Sequence, residues 1–99
     1  MKRICMLSVS ALFLLAGTTL TAADEGATLY KSKCAGCHGA GGEGKPAMKA
    51  PALKGTSQDA GQITERILKG GGAKAPHTKG IAGIKEDQAK AIAAYVKTL

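Results

Sequence analysis

Apolar side chains recur at helical spacing in three stretches of this chain, and nowhere do they alternate with period two for long enough to make a strand. The first stretch predicts a helix from about Glu25 to Cys34. Leu29 and Tyr30 form its apolar side, Lys31 and Lys33 face water, and Asp24 and Glu25 sit where the positive end of the helix dipole favours acids. The second runs from near Ser57 or Gln58 to Lys69. Thr56 or Ser57 caps it, Ile63, Ile67 and Leu68 point inward, and Gly70 ends it. The third covers about Glu86 to Thr98, with an inward stripe of Gln88, Ile92, Tyr95 and Leu99 flanked by Ala91 and Val96. Two loops punctuated by glycine and proline, Gly39 to Pro51 and Gly70 to His77, separate these helices. The expected class is all-α, with no internal repeat and with long loops free to carry function.

The beginning of the chain has a different pattern. Lys2 and Arg3 precede an apolar run from Ile4 to Leu15, broken only by Ser8 and Ser10, and small residues follow to Thr21-Ala22-Ala23. That is the layout of a secretory signal peptide, with cleavage placed after Ala23. A membrane span needs about 20 apolar residues, so removal is expected rather than stable membrane insertion. Cys5 lies before the apolar core, too early to carry lipid at a cleavage site, and departs with the leader. Residues 1–23 therefore read as leader and 24–99 as one small domain exported to the periplasm. Of 99 residues 76 remain, and without Lys2 and Arg3 they carry 12 basic and 7 acidic side chains. Phe13 leaves as well, so Tyr30 and Tyr95 are the only large aromatic residues left. A domain this small struggles to build a sufficient core unaided.

The run Cys34-Ala35-Gly36-Cys37-His38 offers a remedy. Two thiols three residues apart on one helical turn point the same way and can add across the two vinyl groups on one edge of a haem. The adjoining histidine then falls beneath the ring, within reach of the iron. A buried porphyrin would supply the missing apolar body. Three rivals stand beside this reading. A thioredoxin-type redox pair expects a strand before its C-x-x-C, and none precedes this one. Zinc could recruit Cys34, Cys37, His38 and His77, although adjacent Cys37 and His38 would crowd one metal. A plain disulfide is the third.

With these residues in hand, the chain from Gly26 to Leu99 resembles the class I c-type cytochromes, the small single-haem electron carriers. Gly26 and Tyr30 precede the motif as the family's small and aromatic positions do, and Ala50-Pro51-Ala52-Leu53-Lys54-Gly55 is similar to its Pro-x-Leu-x-Gly stretch. The ending Ala93 to Leu99 is similar to its C-terminal helix. The resemblance implies a small cytochrome c fold: three to four helices around one covalently bound haem c, with the N- and C-terminal helices crossing near Gly26, Tyr30 and Tyr95. It also implies that Cys34 and Cys37 hold the haem, that His38 is the proximal iron ligand, and that the Pro51 carbonyl accepts the Nδ1–H of His38.

The sixth ligand departs from the family. Most members place a methionine on the loop before the last helix, but this sequence has none after Met48 and carries His77 there instead. His77 is the only other histidine, and the chain between it and His38 is long enough to cross to the opposite haem face. Met48, ten residues beyond His38, is the competing distal ligand or an apolar plug against the ring. Two imidazoles favour ferric iron more than a thioether does, so a lowered potential is expected.

Charge narrows the partners. The lysines are dispersed and no aromatic residues are interleaved with them, which argues against nucleic acid. Most read as solvated helix faces. The functional alternative is that Lys33, Lys45, Lys74 and Lys79 steer a redox partner with an acidic docking surface. No further acid, base or metal cluster suggests an enzyme. The expected function is electron transfer by a monomer. The alternative is a haem-based gas sensor or small-ligand binder in which the distal ligand is displaced.

Overall fold

The computed structural model of this protein describes residues 21–72 and 75–99. The leader's basic start and apolar run, with Cys5, and Lys74 of the second loop lie outside them. Helix α1, Ala22–Lys33, is capped by Thr21, whose hydroxyl accepts the Asp24 N–H at 3.3 Å. A short helix α2, Ala35–His38, continues almost without a break, because Cys34 stays in helical territory with φ −118° and ψ −39°. The loop that follows contains a 3-10 turn at Pro46–Met48. Helix α3, Ala60–Lys69, and helix α4, Glu86–Val96, complete the order. The described residues form no strand, only isolated antiparallel pairs at Lys45–Ala50 and Gly70–Lys79 that close the two loops. No described helix is long and apolar enough to cross a membrane.

The start of α3, the end of α4 and the inward face of α4 differ from expectation, each for a local reason. Helix α3 starts at Ala60 because Asp59 accepts the Gln62 N–H at 2.8 Å while the Gln62 side chain accepts the Asp59 N–H at 2.9 Å. This reciprocal cap outcompetes Thr56, whose hydroxyl instead takes the Gln58 N–H. Helix α4 ends at Val96, where the Thr98 and Leu99 N–H groups turn to carbonyls three residues back. Its buried residues are Ala89, Ala91, Ile92, Ala93 and Val96, with Tyr95 and Leu99 packed against the same cluster, so the expected stripe holds except at Gln88, whose place Ala89 takes. Gln88 does not serve the core, since its side chain accepts the Lys85 N–H at 2.9 Å.

Helix α4 is the centre of the packing, with α1 crossing it and α3 beside it. At the α1–α4 crossing a Cβ on Gly26 would overlap the Ala91 carbonyl, so only glycine lets the two backbones approach this closely. Next to it, the Tyr30 and Tyr95 rings pack at 5.3 Å with a 54° tilt. The buried cluster is Tyr30, Ile63, Ile67, Ala89, Ile92, Ala93 and Val96, yet only Tyr30 and Ile92 are large side chains with almost no exposure. The architecture is all-α, as the pattern predicted.

Replacing Gly26 with Val drives a branched side chain into the Ala91 backbone. It should destabilise the holoprotein by about 1–3 kcal/mol or more, read from the denaturant midpoint.

Candidate functional site

Between α2, α3, α4 and the two loops lies a cavity of about 420 Å3. Cys34, Cys37, His38, Met48, Pro51 and His77 all line it. The cysteine motif reaches it because the Cys34 carbonyl accepts the N–H groups of Cys37 at 3.2 Å and His38 at 3.0 Å, folding the motif into one turn. Tyr30 braces this turn at both ends. Its carbonyl accepts the Cys34 N–H at 2.8 Å, and its buried hydroxyl donates to the Gly39 carbonyl at 2.7 Å. Burial, with Cys34, Glu43 and Tyr95 nearby, pushes the phenol up, so it stays a donor.

Cys34 and Cys37 are free thiols. Burial, reinforced by neighbouring Cys37, pushes Cys34 up to about 11. A redox C-x-x-C needs the reverse, a thiol that ionises easily. The zinc alternative fares no better: among the described residues no three His, Cys, Asp or Glu side chains converge to hold one metal.

His38 is buried, and its Nδ1 lies 2.8 Å from the Pro51 carbonyl oxygen. A carbonyl only accepts, so Nδ1 carries the proton and the lone pair resides on Nε2. The Pro51 stretch is itself pinned. Lys45 and Ala50 exchange backbone hydrogen bonds at 3.1 and 3.2 Å, and Leu53 donates to Gly42 at 2.7 Å.

His77 arrives from the other loop. That loop is anchored by the Gly70–Lys79 pair and by the Ile81 N–H donating to the Ile67 carbonyl at 2.8 Å. Gly80 rests so closely on the Leu68 carbonyl that no side chain fits between them. The His77 ring centre stands 6.0 Å from that of His38, with the planes at 43°. A metal held at about 2 Å from one nitrogen of each ring would fit in a gap of roughly this width. Burial foremost, then His38 and Arg66, lowers the affinity of His77 for a proton, which keeps the ring neutral. Met48 sits in the 3-10 turn at the cavity edge with 55% of its surface exposed.

One cavity residue escaped the sequence reading. Arg66, the only arginine outside the leader, is half-buried on the wall and makes no ion pair among the described residues. Its spacing held the signal, because it sits three residues from Ile63 on the inward side of α3. A covalently attached haem needs an apolar slot, two thiols at one edge and a ligand for its iron, and its carboxylates favour a nearby cation. The residues present fit that group.

This combination defines a class: a small all-α protein built to enclose a haem of the covalently attached kind. The cytochrome c family profile matches residues 23–99, and the chain belongs to that family. It is 33% identical over 105 residues to cytochrome c-553 of Nitratidesulfovibrio vulgaris (strain DSM 19637 / Miyazaki F), across the full length of both chains. Two solved structures share its fold at 25% identity. Cytochrome cL of Methylophaga aminisulfidivorans superposes with a TM-score of 0.53, covering 78% of this chain and 52% of that one. Cytochrome cL of Hyphomicrobium denitrificans does so at 0.56, covering 77% and 46%. The chain spans about half the length of those two proteins. Its cofactor is haem c, covalently held, and its family carries electrons.

Without haem, the apolar walls of the cavity face water and lose their packing partner. The apoprotein should lose most of its helical circular dichroism at 25 °C, whereas the holoprotein keeps it.

Proposed function

We propose that this protein is an exported, single-haem electron carrier whose iron is held between His38 and His77. The observation that carries this reading is the pair of facing imidazoles, 6.0 Å apart across an apolar cavity. Cys34 and Cys37 supply the thioether sulfurs on one edge. The Pro51 carbonyl orients His38 and makes its Nε2 a stronger donor. Arg66 gives a cation to the acidic edge of the group. Bound in this site, haem supplies a one-electron change at iron. The chain's own part would be to present the His38 and His77 rings to the group, to exclude bulk water, and to leave an edge accessible.

Cleavage after Ala23 removes the Thr21 cap and the first two residues of α1 and leaves residues 24–99, with Asp24 and Glu25 at the new helix start, where they favour its dipole. The leader directs the protein to the periplasm. Met48 acts as an apolar contact at the cavity edge, because its turn lies in the same loop as Pro51, on the His38 side. Two imidazoles stabilise the ferric state and lower the potential. Lys33, Lys49 and Met48 border the cavity, and Lys33, Lys45 and Lys79 are exposed, a surface suited to an acidic redox partner.

Electron paramagnetic resonance of the ferric protein should give the low-spin signature of two imidazoles. Replacing His77 with Met should raise the potential by on the order of a few hundred millivolts, while Met48→Leu leaves the spectrum unchanged. The opposite pattern assigns the ligand role to Met48. Electron transfer with an acidic partner should slow as salt rises, and Lys33→Gln should weaken that dependence. Rates indifferent to ionic strength remove the docking role.

A further inference from the structure

The last carbonyls of a helix have no partner within it and must find one elsewhere. In α2 the Ala35 carbonyl takes the Gly39 N–H at 2.9 Å and the His38 carbonyl takes the Gly44 N–H at 2.7 Å. The Gly36 carbonyl takes a side chain instead, the Lys45 ammonium at 3.1 Å. Lys45 also exchanges backbone hydrogen bonds with Ala50 at 3.1 and 3.2 Å. Ala50 precedes Pro51, whose carbonyl meets His38 Nδ1 at 2.8 Å. Gly44 rests so closely on this stretch that a Cβ there would lie 2.8 Å from the Ala52 nitrogen and 3.0 Å from the Pro51 carbonyl carbon. The contacts close a circuit from the cysteine motif through Lys45, Ala50 and Pro51 back to His38.

Lys45 is exposed and makes no ion pair among the described residues, yet its ammonium is engaged. We propose that Lys45 is a positioning residue for the proximal ligand: its grip on the Gly36 carbonyl keeps the Pro51 carbonyl seated on His38 Nδ1. The proposal rests on His38 as an iron ligand and is independent of what lies on the other face of the group. An acceptor on the outer nitrogen makes an imidazole a stronger donor, and stronger donation favours ferric iron. Loosening Pro51 therefore raises the potential. A lysine acting through its charge alone does the reverse, because a nearby cation disfavours the extra positive charge of ferric iron and its loss lowers the potential. The two roles differ in sign. They differ in salt dependence as well, since at 1 M salt charges are screened beyond roughly 3 Å, whereas the seating of one backbone group on another is not.

Lys45→Met keeps the aliphatic stem and removes the donor, and the holoprotein is the form to test. At about 1 M salt, where charge is screened, its potential should lie above that of the unmodified protein, with the ferric/ferrous balance moved toward ferrous by about threefold or more. Magnetic resonance of the ferrous form should show the His38 Nδ1 proton exchanging with solvent at least about tenfold faster. Lys45→Arg retains a cationic donor and should restore both values. A potential that is lower or unchanged in high salt, or a His38 proton that exchanges as before, overturns the positioning role and leaves His38 as a ligand, even where the denaturant midpoint has fallen. If the unmodified protein shows no Nδ1 proton on an iron-bound His38, the ligation reading fails first, and this proposal with it. Should Lys45→Met yield no holoprotein, Lys45→Gln, whose side chain is too short by one atom, is read by the same two measurements with the same outcomes.

Discussion

Packing against haem, more than packing of helix on helix, is the constraint from which this architecture follows. Only two large side chains, Tyr30 and Ile92, are almost fully enclosed by protein, and both belong to the seam around α4. The other large core residues, Ile63, Ile67 and Val96, also line the cavity. Core and cofactor site are thus one body, shared between chain and porphyrin. The α1–α4 crossing at Gly26 is the part that the protein closes by itself, since two backbones meet there with no side chain between them.

From that seam the cysteine motif is positioned by a single residue. Tyr30 packs on Tyr95, receives the Cys34 N–H on its carbonyl and gives its hydroxyl to the Gly39 carbonyl. One residue, through its backbone carbonyl at one end and its hydroxyl at the other, therefore couples the helix crossing to both ends of the turn that presents Cys34, Cys37 and His38. The loops finish the site in two ways. The first is cross-linked to the motif by Pro51 on His38, by Gly44 on the His38 carbonyl at 2.7 Å and by the Lys45 ammonium on the Gly36 carbonyl at 3.1 Å. The second is fixed at its base by the Gly70–Lys79 pair and by Ile81 on Ile67. A carrier that keeps its ligands through a one-electron change gains from the stiff side.

Much of this was legible in the residues. Helical periodicity marked α1, α3 and α4, since side-chain spacing within a helix is a local property. The reading failed where local signals competed. Thr56, Ser57 and Asp59 can all cap a helix, and the choice of Asp59 depended on Gln62 three residues on. On α4 the expected stripe fails only at Gln88, which looks inward by spacing but is consumed by a backbone N–H. Lys45 reads as a free surface charge in sequence, yet its ammonium is bonded to the haem motif's backbone. Lys97, too, is engaged: it donates to the Thr56 and Gln58 carbonyls at 3.1 and 2.9 Å, tying the end of α4 to the cavity wall.

The sequence alone determined that Cys34, Cys37 and His38 share one turn, because residues three and four apart on a helix necessarily lie together. It determined as well that the mature chain was too poor in large apolar residues to form a core without help. Only the tertiary structure decided that the Pro51 carbonyl lies on His38, that His77 stands 6.0 Å across the cavity from it and that Arg66 is on the wall. These relations join loops and helices far apart in the chain. They depend on where α3 and α4 set the ends of each loop, and no spacing within a single stretch carries that information.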